Sequence, residues 1–403
     1  MTDTASVGDT PSVDDALTTP ARQLLADLVA TPSVSGAEGD AAAVLAEFLR
    51  DHGRTVTTDS VGNVRAPAPD TAVGEDVLLT SHVDTVPGEV PVRVDRVPAS
   101  EARWGHTPVP DAGGSTASTA DEVTLPELWG RGSVDATGPL VAMAVAAVET
   151  GASFVGVVGE ETDSRGARHL VDDRPAPAAV VNGEPSGWDA LTLGYRGFLP
   201  ATYTVETAAG HSSRPEPNAI QHATAWWHRV ATEVADDASA DDASVASAGA
   251  PDGDPTGVFD SVTATPTGFE GGSRADGAVR ATVEVGFRLP PGTTAAAIQE
   301  QVAALTDHGS LSWGEPIPPA TTGARTPLAR AFRAAIRTNG GSARLLRKTG
   351  TADANVFADA WGVPTVTYGP GDSALDHTAA ERLPLPALDH ATDVLVDAVE
   401  RLR

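Results

Sequence analysis

Residues 76–88 read DVLLTSHVDTVPG: a short apolar run, then His82 and Asp84 two apart, then a Pro-Gly turn. The run has the length of a buried strand, and the turn ends it. Residues i and i+2 of a strand share a face, so His82 and Asp84 are expected to point the same way. A zinc-bound imidazole usually has its other ring nitrogen fixed by a carboxylate, and Asp84 is placed to provide one. A buried strand that ends in two metal-capable side chains raises the question of what else arrives beside it.

Four further segments give the answer. LWGRGSVDATGPL (128–140) sets Asp135 in a glycine-rich turn before a helix, where a lone aspartate would be an ordinary N-cap. GVVGEETDSRG (156–166) puts Glu160 and Glu161 side by side after an apolar strand, and adjacent carboxylates repel unless a cation gathers them. VVNGEPSGW (180–188) delivers Glu184 in the same way, and TYGPGDSALDHTAAERLPL (367–385) delivers His377. Five strand ends thus each present an imidazole or a hard oxygen, and in open α/β sheets these ends line the ligand crevice. The chain has no cysteine, so a metal here must be held by His, Asp and Glu.

Around these strands, helix-length amphipathic stretches such as AAAVLAEFLRDHG (41–53) and PLVAMAVAAVETG (139–151) alternate with β-branched runs. That alternation predicts an α/β sheet covered by helices. The texture changes between 193 and 321, where strands and helices follow the order β-α-β-β-α-β of a ferredoxin-like unit. The expected organisation is a disordered acidic extension over 1–20, a catalytic domain over 21–192 and 322–403, and an inserted lid or dimerisation domain over 193–321. Residues 89–128 read as an irregular, partly inserted surface segment, and 235–258 as an acidic low-complexity loop.

The formal charge of −28 over 403 residues argues against nucleic acid and anionic membranes as partners. No apolar run approaches a membrane span, and the acidic N-terminus lacks the features of a signal peptide. Lys348 is the single lysine. Acid-rich, lysine-poor surfaces suit concentrated salt, where the Debye length falls to about 3 Å. The expectation is a cytoplasmic protein of a salt-loving organism; a GC-rich genome with an acidic proteome would give the same composition.

The quoted segments, in this order and with a domain inserted between Glu184 and His377, resemble the M20 family of dinuclear zinc peptidases and deacylases. The resemblance runs from Ala21 to Arg403. It implies two divalent metal ions, zinc first and cobalt as the alternative. His82 would bind one ion, His377 the other, and Asp135 would bridge them. Glu161 and Glu184 would each complete one ligand set, Asp84 would orient His82, and Glu160 would be the general base. It implies further that the peptide after Asp135 is cis. His211, in AAGHSSRPEPNAI (208–220), matches a Gly-His motif that dimeric members use to stabilise the oxyanion across a homodimer. Arg288 in GFRLPPG and Thr351 in KTGTADAN match segments that hold the substrate's α-carboxylate.

Within the family, Glu184 and the segments NGEPSGWDALTLGYRG, KTGTADANVF and TYGPGDSALDHT are similar to hydrolases of carrier-linked lysine and arginine biosynthesis. Those enzymes release lysine or ornithine from the γ-carboxyl of the C-terminal glutamate of a small acidic amino-group carrier protein. The alternatives are N-acetylornithine deacetylase, succinyl-diaminopimelate desuccinylase or carboxypeptidase activity on free substrates, or a catalytically dead metal-binding scaffold. Retention of Glu160 beside the full ligand set speaks against the last.

Overall fold

Thr19 caps the first helix, α1 (Pro20–Ala30): its side chain accepts the Arg22 amide, and Pro20 fills the first turn, where its missing N–H leaves nothing unpaired. The structure is a computed structural model that describes residues 16–72, 74–105, 107–109, 123–211, 213, 215–235 and 257–403. The chain continues through α2 (Gly39–Asp51), β1 (Thr57–Thr58), β2 (Val64–Ala66), β3 (Val77–His82), β4 (Arg93–Pro98) and β5 (Thr124–Trp129). Then come α3 (Thr137–Thr150), β6 (Ser153–Val157), α4 (Arg165–Asp173), β7 (Ala179–Gly183), β8 (Ala190–Tyr195) and β9 (Gly197–Thr207). Next are α5 (Ala219–Glu233), β10 (Thr263–Ser273), β11 (Val279–Leu289), α6 (Ala295–Ala304), β12 (Ser310–Trp313) and β13 (Ala320–Thr321). The last elements are α7 (Pro327–Thr338), β14 (Arg344–Lys348), α8 (Asp353–Trp361), β15 (Thr365–Tyr368), β16 (Arg382–Pro384) and α9 (Leu385–Glu400).

Two units separate. The first comprises residues up to Leu191, Ala324–Arg344 and Val363–Arg403. In its sheet the strands lie in the order β1-β2-β6-β3-β7-β15. β6, β3, β7 and β15 are parallel, while β1 and β2 are antiparallel at the edge. Parallel strands are covered on both faces, which is why these read as continuous apolar runs. β6, β7 and β15 are buried throughout. α3 packs against β3, β6 and β7 on one side and α1 and α9 on the other. Its sequence is accordingly apolar nearly all round, with twelve of its fourteen residues buried. Because β3, β6, β7 and β15 run in one direction, their C-terminal ends share one edge.

The segment expected to be irregular over 89–128 is not wholly so. β4 and β5 pair antiparallel, and β16 joins β5 to make a small sheet. The signal was masked because β4, RVDRVP, is charged and only partly buried, with Arg93 and Arg96 exposed. Residues 110–122 of that segment lie outside the described residues, as do 1–15 and most of the acidic loop, 236–256.

The second unit comprises Thr192–Gly323 and Leu345–Gly362. Its four-stranded antiparallel sheet has the order β10-β11-β9-β12. With α5 between β9 and β10, and α6 between β11 and β12, this is the ferredoxin-like pattern expected from the sequence. α5 carries a capping box, Asn218 and Gln221. It buries Trp226, which stacks on Tyr203 of β9 with ring centroids 4.3 Å apart. Sequence texture alone assigned 345–362 to the returning catalytic domain, but it groups with this unit. Long-range bonds draw it there: β14 pairs with β8, and Asn355 donates to the carbonyls of Arg196 and Pro318.

Candidate metal centre

The edge where the parallel strands end carries the five expected side chains. His82 is the last residue of β3 and 2% exposed. Its Nδ1 lies 2.8 Å from the backbone carbonyl of Asp84. A carbonyl only accepts, so Nδ1 donates there, and Nε2 is the ring nitrogen turned to the acids opposite, the one a metal would take once its proton is displaced. Those acids are Asp135, with Oδ1 at 3.2 Å, and Glu184, with Oε1 at 3.8 Å. On the other side of Asp135, Oδ2 lies 3.1 Å from His377 Nε2, which is also 3.1 Å from Glu161 Oε1.

Asp135 therefore turns one oxygen to each histidine, and each histidine has a glutamate of its own. Donors on one zinc ion, at bond lengths of about 2.0–2.2 Å in a tetrahedron, lie roughly 3–3.6 Å apart. The contacts of 3.1–3.2 Å match that spacing, and donor atoms of His82, Asp135 and Glu161 lie within 4.8 Å of one another. A donor set of imidazole and carboxylate without thiolate suits zinc or a neighbouring divalent ion.

Local structure delivers these groups. Gly159 has φ 78°, a region glycine enters freely, and it turns the chain from β6 into Glu160 and Glu161. The Asp84 carboxylate pins this turn: Oδ1 accepts the amides of Gly159 and Glu160 at 2.8 and 3.1 Å, and Oδ2 accepts that of Glu161 at 3.2 Å. This amends the expectation from the sequence. β3 ends at His82, so the i, i+2 rule does not carry to Asp84, whose carboxylate is 3.7 Å from the ring while its backbone oxygen makes the bond. The peptide between Asp135 and Ala136 is cis, as the resemblance implied, and His377 has φ 61°.

Two residues escaped the sequence reading. Ser35 donates its hydroxyl to Asp84 Oδ2 at 2.7 Å. Glu381, fully buried, accepts the amides of Val134 and Asp135 on Oε1, both at 3.1 Å, and Arg131 donates to Oε2 at 2.7 Å. It fixes the loop that carries Asp135, yet a glutamate four residues after His377 looks like any solvated carboxylate. Arg288 and Thr351 do meet, Nη1 to Oγ1 at 3.4 Å, within the second unit. His211 also lies in that unit, exposed, with Nδ1 2.8 Å from Ser213 Oγ.

A family model described as Peptidase family M20/M25/M40 matches residues 78–401. The chain belongs to that family. A [LysW]-lysine hydrolase of Deinococcus radiodurans is 38% identical over 404 residues, covering 95% of this chain and 97% of the relative. A Thermococcus kodakarensis protein, provisionally named a [LysW]-lysine/[LysW]-ornithine hydrolase, is 34% identical across 94% of this chain and 92% of its own. An M20 metallo-carboxypeptidase from Sulfolobus solfataricus shares the fold at TM-score 0.72 and 15% identity, over 96% of this chain and 99% of its own. This M20 member is thus a hydrolase of amide bonds from a metal-dependent family. Among the described residues, no helix is long and apolar enough to cross a membrane.

The electrostatics of the M20 centre set how it takes up metal. Burial opposes charge on both Asp135 and His82. The bonds to His377 and His82 nevertheless hold the Asp135 carboxyl well below the usual range, and Asp135, Glu184, Glu160 and Asp84 raise His82 well above 6.5. Hydrogen bonds to Asp135 and then Glu161 raise His377 to about 10. A raised histidine pKa stabilises the metal-free fold below about pH 6.5, and that contribution is lost as pH rises through about 10. Metal must displace these protons. Calorimetric titration of metal-free protein with zinc should therefore give two ions per chain with proton release to the buffer. Apparent affinity should rise with pH, about tenfold per unit for each proton displaced. Fewer than two sites, or affinity that falls with pH in this window, would contradict the arrangement.

Proposed function

We propose that this chain is a dinuclear hydrolase that releases lysine, ornithine or both from the γ-carboxyl of the C-terminal glutamate of an amino-group carrier protein. The observation that carries this reading is 38% identity, over nearly the whole of both chains, to a protein named for that reaction on lysine. The site geometry supports it. His82 and Glu184 would hold one ion and His377 and Glu161 the other, with Asp135 between the two pairs, in line with the distances from Asp135 to each histidine.

When bound, the ions supply Lewis acidity that polarises the amide carbonyl and makes water nucleophilic near neutral pH. Glu160 accepts the water's proton and returns it to the departing amine. Asp84 keeps Glu160 and Glu161 in place through their amides, and Arg288 with Thr351 holds a substrate carboxylate. The protein acts as a homodimer in which His211 of one subunit donates to the oxyanion at the other's site. The second unit supports pairing. β10 is an edge strand, and Ile220 (37% exposed) and Phe269 (45%) are two of the four exposed large apolar side chains among the described residues.

The deciding experiment measures amino-acid release from carrier-linked lysine, carrier-linked ornithine and N-acetylornithine side by side. The expected result is release from one or both carrier-linked substrates and little from N-acetylornithine. The reverse order would replace this reading with that of a free-substrate deacylase.

A further inference from the structure

Along β3 the residues that face the same way as His82 are Leu78 and Thr80, because alternate residues of a strand share a face. Register carries that face across the sheet. Thr80 pairs with Val155 of β6 and with Asn182 of β7, and Asn182 pairs with Thr367 of β15. Neighbouring strands lie about 4.8 Å apart, so Thr80, Asn182 and Thr367 form one row of adjacent side chains. All three belong to the first unit, and they are 0%, 1% and 1% exposed. A parallel sheet covered on both faces calls for branched apolar residues at such positions, as Val155 supplies at the end of the row.

The polar atoms of this row are unpaired. Thr80 Oγ1, Asn182 Nδ2 and Thr367 Oγ1 are buried, and none has a hydrogen-bond partner among the described residues. Other buried hydroxyls of the same strands do find one. Ser81, on the opposite face, donates to the Gly183 carbonyl at 2.9 Å. Thr365, two residues before Thr367, donates to the Val363 carbonyl at 3.1 Å. A buried amide or hydroxyl left unpaired is costly. Three such costs on adjacent residues point to one shared partner rather than to three separate faults.

The donors and acceptors decide what that partner is. Asn182 offers an amide N–H, to which a cation gives nothing in return, while each threonine hydroxyl both donates and accepts. An ion of either sign would lie in a row that holds no side chain of opposite charge, at a high cost. Water meets all three groups. It accepts from the amide and exchanges bonds with the hydroxyls, which gives it the two to four polar partners that hold a buried water.

We infer that Thr80, Asn182 and Thr367 bind internal water, about one or two molecules, in a buried hydration site beneath the metal edge. Thr80 lies two residues before His82 on β3, and Asn182 lies two before Glu184, which follows the end of β7. Water along the row ties β3 to β15 across β7 through side chains, in addition to the backbone ladder, just below the ends that carry those two residues. The site rests on the sheet alone and is independent of the substrate.

Crystals of the metal-loaded enzyme should show a density peak about 2.7–3.2 Å from Asn182 Nδ2 and from at least one of the two threonine hydroxyls. Direct bonds between Asn182 and the threonines, with no peak beside them, would overturn the inference. So would a peak that becomes an anomalous scatterer when bromide replaces chloride, since that marks a halide. In solution, ¹⁷O magnetic relaxation dispersion counts the waters held inside the fold. A triple variant, Thr80→Val with Asn182→Leu and Thr367→Val, nearly keeps the side-chain shapes while removing the polar atoms. It should hold about one or two fewer long-lived waters than the wild type. An equal count in a folded triple variant overturns the inference. If that variant does not fold, the density peak in the wild type alone decides.

Discussion

Glu160→Gln is expected to fold, load two metal ions and turn over about 10²–10⁴-fold more slowly than the wild type, the range for loss of a general acid–base group. Glutamine keeps the shape of the side chain, and the turn that carries it does not depend on the carboxylate. Asp84 Oδ1 holds the backbone amide of residue 160 at 3.1 Å whatever follows the Cα. The five proposed ligands are untouched. Glu160 is one of the acids that raise His82, so its neutralisation makes the His82 proton easier to displace and should leave metal loading no weaker. What the variant lacks is a group that can accept a proton from water and return it to an amine. Metal stoichiometry and kcat at saturating substrate check the two halves separately. Near wild-type kcat in a fully loaded variant would show that Glu160 is not the base, and loss of metal would show that it is a ligand.

Four of the five would-be ligands were legible because each follows an apolar run and those runs are the parallel strands β3, β6, β7 and β15. His82, Glu161, Glu184 and His377 could therefore be placed together before any topology was known. What stayed hidden depends on backbone contacts between distant segments. Asp84 was read from a strand rule, but the strand ends at His82, two residues before it. In the fold its carboxylate gathers three amides from the Gly159–Glu161 turn. Glu381 acts in the same fashion on the amides of Val134 and Asp135, and amides have no residue signature to search for. The segment 345–362 misled for a related reason. Its texture is α/β, but hydrogen bonds between the Arg196 region and residues 348–355 bind it to the inserted unit. Charged β4 was passed over because a strand whose residues are all only partly buried or exposed does not alternate clearly.

His211→Ala is expected to lower turnover by about 10²–10³-fold, equivalent to about 2.7–4 kcal/mol of transition-state stabilisation, with metal content unchanged. His211 is exposed and bonded only locally to Ser213, so removing its ring leaves no buried partner unsatisfied and should not disturb the fold. A large kinetic effect from an exposed residue would need a reacting group to approach it. The proposed dimer supplies one, since His211 lies in the second unit and every proposed ligand in the first. A trans role has a consequence that a structural role lacks. Mixing inactive His211→Ala subunits with inactive Glu160→Gln subunits should restore activity, because each heterodimer contains one site with both wild-type residues. Random exchange makes half of the dimers mixed, and each of those has one working site of two. Recovery should thus approach about a quarter of wild-type activity per total site, if the proposed trans donation of His211 operates. No recovery, with subunit exchange demonstrated by mass, would place His211 in its own chain's site or outside catalysis altogether.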